Sequence, residues 1–143
     1  MGSPKTPALM TDCAVFDPDG RVLLVRRKNE PFAGCYALPG GFVDLGETVE
    51  AACCRELEEE TGVAVIDSLL KLVGVYSDPD RDPRGHSVSI AFTTTLEQAV
   101  EPKAGTDAQS AAWITDWQAE TLAFDHAKIL ADAMRQCRDA EIE

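Results

Sequence analysis

The chain has 143 residues, of which 45% are hydrophobic and 27% are charged, the composition of a soluble globular protein. A net charge of −12 opposes binding to nucleic acid and to anionic membranes, and no apolar run approaches the ~20 residues of a membrane-spanning helix. The five cysteines include no CxxC pair, so we expect reduced thiols and a cytoplasmic location rather than a zinc site or a disulfide framework.

The first part of the chain predicts a short arm, a hairpin and a loop. Residues 1–7 predict a flexible N-terminal arm, and residues 8–143 predict a single domain. Two apolar runs separated by a strong turn signal predict a hairpin of two strands. These segments are 8–16, the turn Asp17-Pro18-Asp19-Gly20, and 21–27. Residues 28–37 predict a loop, and LPGG at residues 38–41, which follows it, predicts irregular structure.

The rest of the chain predicts two helices and three further strands. The helices are expected at residues 48–61, with Gly62 ending the first, and at residues 125–137. The strands are expected at residues 69–76, 87–93 and 111–115. Strands and helices in this order predict an α/β fold with a mixed sheet packed between helices.

The first predicted helix places several carboxylates where a helix tolerates them least. At 100° per residue, Glu56, Glu59 and Glu60 share one face of its last turns, whereas Glu58 points away. The C-terminal end of a helix carries partial negative charge, and like charges at this spacing repel. One explanation is a solvated acidic face. The other is a site for a hard cation such as Mg²⁺, which oxygen ligands next to a glycine-rich loop can form.

A wider pattern around this helix favours the cation site. The stretch GFVDLGETVEAACCRELEEETGV, residues 41–63, carries Gly41, Glu47, Arg55-Glu56-Leu57, Glu59-Glu60 and Gly62-Val63 at fixed spacing. This pattern resembles a complete box of the Nudix hydrolases. The resemblance implies a Nudix-type α/β/α sandwich and hydrolysis, dependent on Mg²⁺ or on Mn²⁺ as a substitute, of a nucleoside diphosphate linked to another moiety.

The resemblance also implies roles for individual residues. Glu56, Glu59 and Glu60 match metal-binding glutamates, and the carbonyl of Gly40 matches a backbone ligand. Arg55 matches an arginine that orients a box glutamate, and Glu47 matches a residue that supports the loop. We therefore expect the catalytic set to be Glu56, Glu59, Arg55 and Glu47.

The segments that flank the box suggest the substrate. Pro79 and the segments 22–41, 76–92 and 122–130 resemble the branch of the family that hydrolyses ADP-ribose. This resemblance implies a small-molecule nucleotide substrate, which is cleaved to AMP and ribose 5-phosphate, and a homodimer. The residues expected to bind substrate are Arg27, Tyr36, Gly41, Arg81 and Arg84.

Several alternatives stay open for these residues. Arg81 and Arg84 could instead pair with the neighbouring aspartates, and Tyr36 could pack rather than stack on a base. Only one of Arg26 and Arg27 is expected to face the site, because side chains alternate along a strand. His126, like the other histidine, is expected to be a satisfied structural residue.

The chain differs from the family pattern at one position, and two rival functions stay open. Ser110 stands where relatives often have a glutamate, so a box glutamate is expected to activate water, with Glu97, Glu101 or Asp107 as alternatives. The first rival function is hydrolysis of nucleoside triphosphates, and the second is a sensor that binds ADP-ribose without cleaving it. The intact box opposes the sensor, and the segment around Pro79 opposes the triphosphatase.

Overall fold

The computed structural model describes residues 5–142, with side chains up to residue 140. Residues 1–4 of the predicted arm lie outside the described residues, and residues 5–7 have no regular structure. The strands are β1 Ala8–Phe16, β2 Val22–Arg27, β3 Tyr36–Ala37, β4 Gly40–Phe42, β5 Lys71–Tyr76, β6 Ser87–Thr95 and β7 Ala108–Ile114. The helices are α1 Val49–Thr61 and α2 His126–Ile142, and short 3₁₀ turns occupy Asp67–Leu69 and Trp117–Ala119.

The strands form one mixed sheet in which β1 is central. The order is β3-β2-β1-β6-β5, while β4 pairs with β1 and β7 pairs with β2. β1 runs parallel to β6 from Ala8 to Phe16, and the other pairs are antiparallel. The start of β1 pairs with β4 through Met10–Asp12, whereas its end meets β2 at Phe16. This branching opens the sheet beside β4, and the cleft described below lies there.

The two helices cover opposite faces of this sheet. Alternate side chains of β1 point to opposite sides, so Cys13 and Val15 pack with Leu57 of α1, whereas Ala14 and Phe16 pack on α2. The partners from α2 are Ile129, Leu130 and Ala133. The predicted sandwich, with a mixed sheet between helices, is therefore confirmed.

The predicted boundaries of α1 agree with the structure and have local causes. The Thr48 hydroxyl accepts a hydrogen bond from the Ala51 N–H (3.0 Å) and caps the first turn. Gly62 ends the helix in the left-handed region at φ 74°, where a side chain would be strained. Within the described residues, no helix combines the length and the apolar character that crossing a membrane requires.

The prediction that LPGG is irregular was wrong for its glycines. Gly40 and Gly41 begin β4, in which Gly40 lies opposite Asp12 and Gly41 opposite Thr11. A Cβ on Gly40 would lie 2.1 Å from the Thr11 carbonyl oxygen, so only glycine lets the two backbones approach this closely. The predicted strand at 111–115 was also too short, because β7 already pairs with β2 from Ala108.

Candidate active site

A cleft of about 310 Å³ opens where α1, the two glycines of β4 and the start of α2 converge. Its walls come from β1, β2, β4, β7 and both helices, and from the loop between β5 and β6. The cleft therefore collects side chains that are far apart in the sequence.

Two box glutamates line this cleft beside the glycines. The Glu60 carboxylate accepts a hydrogen bond from the Gly40 N–H (3.2 Å), and the Glu56 carboxylate lies directly against Gly41. A Cβ on Gly41 would be 2.6 Å from the Glu56 carboxyl carbon, so any side chain at this position would push the Glu56 carboxylate out of its place. Burial, and then the nearby charges of Glu56 and Asp12, raise the pKa of Glu60 to about 8.

Arg55 organises the carboxylates at the mouth of the cleft. Its guanidinium donates to both oxygens of Glu47 (2.7 and 2.9 Å) and to Glu56 (2.8 Å). It also donates to the Phe42 carbonyl (3.0 Å), which ties α1 to β4. Through these contacts Glu47 holds Arg55, and Arg55 holds Glu56.

Glu59 occupies a different place from the other two glutamates. It does not line the cleft, its side chain is 59% exposed, and its carboxylate lies 3.3 Å from Arg55. Among the described side chains, no group of three His, Cys, Asp or Glu residues is arranged to hold one ion. The structure therefore brings Glu56 and Glu60 together and leaves Glu59 at the rim.

The chemistry of these donors nevertheless fits a divalent cation. Burial raises the pKa of both Glu56 and Glu60, and the repulsion between carboxylates adds to that effect. A hard cation prefers carboxylate and carbonyl oxygens, and its charge would relieve this repulsion. Asp12 also lines the cleft with a raised pKa, but it already accepts a hydrogen bond from Ser89 and lies beside Arg81 and His126. Glu56 and Glu60 are therefore the candidate ligands.

The arginines expected to bind substrate differ in how far the chain itself satisfies them. Arg27 lines the cleft, donates to the Pro31 carbonyl (2.7 Å) and has no carboxylate within ion-pair distance among the described side chains. Arg84 also lines the cleft and pairs with Asp82 (2.8 Å), the alternative left open by the sequence. Arg27 is therefore the cleft arginine with unmatched charge.

Arg81 and Tyr36 are placed differently from the substrate-binding roles expected of them. The Arg81 side chain lines the cleft but is only 3% exposed, and it makes a two-point contact with Asp125 (2.7 and 2.9 Å). Tyr36 does not line the cleft; its ring packs against the α2 core and lies 4.5 Å below the Arg26 guanidinium. Arg26 therefore faces away from the site, and Arg27 faces it.

His126 and Asp12 form a buried pair in the cleft wall that sequence reasoning did not connect. His126 is 4% exposed, and its Nδ1 accepts a hydrogen bond from the Leu38 N–H (3.0 Å). In the neutral ring the proton must therefore sit on Nε2, which lies 3.4 Å from the Asp12 carboxylate. Burial lowers the pKa of His126, which favours this neutral form. The hydrogen bond between Leu38 and His126 ties the segment before Gly40 to the start of α2.

Replacing His126 should test this tie. His126→Ala leaves the buried Leu38 N–H without its acceptor, at a cost of about 1–3 kcal/mol in the free energy of unfolding. We expect a lower melting temperature and a reduced kcat/KM, both partly restored in His126→Asn, whose side-chain oxygen can accept the bond. The control is His86→Ala, because His86 is exposed and its ring has one hydrogen-bond partner, the Ser77 carbonyl (3.0 Å). Equal melting temperatures for the native chain and His126→Ala would contradict the role.

The chain is similar to several known proteins. The family model described as NUDIX domain matches residues 6–134. An ADP-ribose pyrophosphatase of Methanocaldococcus jannaschii is 51% identical over 129 residues, which cover 90% of this chain and 74% of the relative. The NUDIX domain of Shewanella oneidensis NrtR, solved with ADP ribose, superposes with a TM-score of 0.85 at 30% identity, covering 93% of this chain and 90% of that one.

A third similar protein is a bifunctional NMN adenylyltransferase/ADP ribose pyrophosphatase from Francisella tularensis, solved with AMP and a Mn ion. It superposes with a TM-score of 0.84 at 29% identity, covering 95% of this chain and 43% of that one. The family match extends over nearly all of the residues that build the sheet and both helices. On this evidence, the chain belongs to the NUDIX domain family.

Proposed function

We propose that the protein hydrolyses the pyrophosphate bond of ADP-ribose, giving AMP and ribose 5-phosphate. The observation that carries the proposal is the complete Nudix box, with Glu56 and Glu60 in a cleft against the glycine backbone of β4. The identity of 51% to an ADP-ribose pyrophosphatase, over 90% of the chain, supports the choice of substrate.

The cation proposed for this site is Mg²⁺, with Mn²⁺ as a substitute. Glu56 and Glu60, together with the Gly40 carbonyl, would hold it, and Glu59 could join them from the rim. When bound, such a cation neutralises the charge of the pyrophosphate and lowers the pKa of a coordinated water. The Mn ion in the similar Francisella tularensis structure supports a divalent cation.

The remaining chemistry falls to the side chains around the cleft. A box carboxylate, for which we propose Glu56, takes a proton from the attacking water. The water oxygen forms a bond to one phosphorus, and the bond from that phosphorus to the bridging oxygen breaks. Arg55 fixes the orientation of Glu56 through its 2.8 Å contact, and Glu47 fixes Arg55.

Arg27 is proposed to contact a phosphate of the substrate. It is a half-buried cation in the cleft without a carboxylate partner among the described side chains, in a chain of net charge −12. Burial and the charge of Arg84 lower the pKa of Arg27, so an incoming anion would relieve an unfavourable environment. Arg84 is proposed to contact the substrate phosphates together with Arg27. Arg81 is proposed to act indirectly, because its contact with Asp125 shapes the wall of the cleft.

The assembly and location are also proposals. We propose that residues 8–143 form one domain, that the protein acts in the cytoplasm, and that it forms a homodimer. Leu72 and Val75 are 55% and 58% exposed on β5, the last strand in the sheet order, which supports association of copies. The net charge of −12 supports a small-molecule partner rather than nucleic acid or membrane.

A substrate panel tests the proposed reaction. With Mg²⁺, the purified protein should convert ADP-ribose to AMP and ribose 5-phosphate with a kcat/KM at least ~10 times that for any nucleoside triphosphate, a difference of about 1.4 kcal/mol in barrier. Product analysis by chromatography identifies the bond that is cleaved. A reversed order would support the triphosphatase, and tight binding of ADP-ribose without turnover would support the sensor.

A further inference from the structure

Two phenylalanines are held in an unusual backbone conformation at the cleft. Phe32 has φ 62° and Phe124 has φ 53°, and they are the non-glycine residues with positive φ in the described part of the chain. For a bulky side chain this conformation is unfavourable, and such strain concentrates at functional sites. The two residues lie in different loops, one between β2 and β3 and the other just before α2. Their rings nevertheless touch edge to face, with centroids 4.9 Å apart.

Phe124 is the member of this pair that lines the cleft. Behind it lies a small apolar cluster of Val25, Ala37 and Ala123, and the segment is anchored by the Ala123 N–H, which donates to the Tyr36 carbonyl (2.8 Å). Phe32 does not line the cleft and braces the Phe124 ring from its edge. A residue that only filled the core would not need this backbone strain. The strained backbone therefore presents an aromatic ring to whatever occupies the cleft.

Two arginines flank this ring. The guanidinium carbon of Arg27 lies 5.0 Å from the Phe124 centroid, and that of Arg84 lies 5.6 Å from it. The Arg84 side chain is 46% exposed, and a base that stacks on this face of Phe124 would displace its guanidinium from the ring. An arginine plane stacks on a base as readily as on a side chain, so a flat ligand ring can lie between Phe124 and Arg84. Arg27, without a carboxylate partner among the described side chains, suits the phosphate that the ribose of such a nucleotide carries.

We propose that Phe124, braced by Phe32, is the shelf on which the nucleobase of the substrate stacks, and that this shelf favours purine over pyrimidine nucleotides. The inference rests on the proposed function, which it deepens by naming the group that recognises the base. A base has two π faces and suits an apolar, aromatic surface. A ribose exposes hydroxyl groups that this surface cannot hydrogen-bond. The larger purine ring covers more of the shelf than a pyrimidine does.

The test compares Phe124→Leu with Phe124→Tyr, and titrates AMP, CMP and ribose 5-phosphate by calorimetry in the presence of Mg²⁺. Leucine keeps an apolar side chain at the same strained backbone but removes the π face, whereas tyrosine keeps that face. Phe124→Leu should weaken AMP binding about tenfold, within the range known for one stacked base. It should weaken CMP binding less and leave ribose 5-phosphate unchanged, and Phe124→Tyr should resemble the native chain. The kcat/KM ratio of ADP-ribose to CDP-ribose should fall in parallel.

Three outcomes would overturn the shelf. They are unchanged AMP binding in Phe124→Leu, equal weakening of AMP and ribose 5-phosphate, and a native chain that binds CMP as well as AMP. Thermal unfolding checks that each variant is folded, and Phe124→Met replaces the leucine variant if that one is not. Failure of the proposed function looks different, because AMP binding needs no turnover. If the chain binds AMP through Phe124 but does not hydrolyse ADP-ribose, the shelf is supported and the proposed function is contradicted. If Phe124→Leu hydrolyses ADP-ribose and binds AMP as the native chain does, the function is supported and the shelf is contradicted.

Discussion

Glu60→Gln should remove most of the activity without destabilising the metal-free protein. Glu60 is half-buried beside Glu56 and Asp12, and its pKa is raised to about 8, so its negative charge is unfavourable until a cation is bound. Glutamine keeps an oxygen that can accept the Gly40 N–H but cannot supply a charged ligand. We expect kcat/KM to fall at least about a hundredfold, or ~2.7 kcal/mol of barrier. The melting temperature without metal should be equal to or higher than that of the native chain.

Mg²⁺ titration completes this experiment. A ligand that binds only the folded state stabilises it by mass action, so Mg²⁺ should raise the melting temperature of the native chain and raise that of Glu60→Gln less. Glu58→Gln is the matched control, because Glu58 lies on the same helix but is exposed and outside the cleft. If Glu60→Gln unfolds while its activity per folded molecule is unchanged, the role of Glu60 is structural.

The sequence predicted the parts of the site that depend on local spacing. The helix that carries the box and its end at Gly62 follow from residues within a few positions of one another, whereas the cap at Thr48 was found only in the structure. The two covered faces of the sheet follow from the alternation of side chains along each strand. Both features are encoded in short-range periodicity, which a single sequence displays.

The position of Glu59 shows where this reasoning stops. Helical geometry groups Glu59 with Glu56 and Glu60, but it does not say which part of that face meets the two glycines. The glycines of β4 lie on the side of Glu56 and Glu60, and Arg55 holds Glu59 at the rim, 3.3 Å away. That division depends on how β4 pairs with β1, and the sequence did not predict β4.

The cleft residues that sequence reasoning missed are joined by long-range contacts. Leu38 and His126 are 88 residues apart, and Asp12 bonds Ser89 across 77 residues. Arg81 likewise pairs with Asp125 rather than with the aspartates beside it, the alternative that the sequence had suggested. No spacing rule connects such residues, because the parallel pairing of β1 with β6 and the packing of α2 bring them together. The position of Phe124 just before α2 can be read from the sequence, but its backbone conformation could be seen only in the structure.

The structure narrows the choice of the residue that activates water. Ser110 is uncharged and pairs opposite Arg26 in the sheet, which leaves Glu97, Glu101 and Asp107 as carboxylates outside the box. Of these three, Asp107 lines the cleft. Glu56 lies deeper, its pKa is raised by burial, and Arg55 fixes its orientation from 2.8 Å. Glu56 is therefore better placed than Asp107 to act as the proton acceptor, because its carboxylate is held in a fixed orientation.

Glu56→Gln should accordingly lose at least about a hundredfold in kcat, since a general base typically contributes 10²–10⁴-fold. Asp107→Ala, Glu97→Ala and Glu101→Ala should each lose less than about tenfold, or ~1.4 kcal/mol of barrier. A lost metal ligand raises the Mg²⁺ concentration for half-maximal activity and is partly recovered by excess Mg²⁺ or by Mn²⁺, whereas a lost base is not. Glu59→Gln, which alters the rim, should show the recoverable behaviour. If Asp107→Ala is as damaging as Glu56→Gln and its Mg²⁺ dependence is unchanged, the base is Asp107, and Glu56 serves the metal alone.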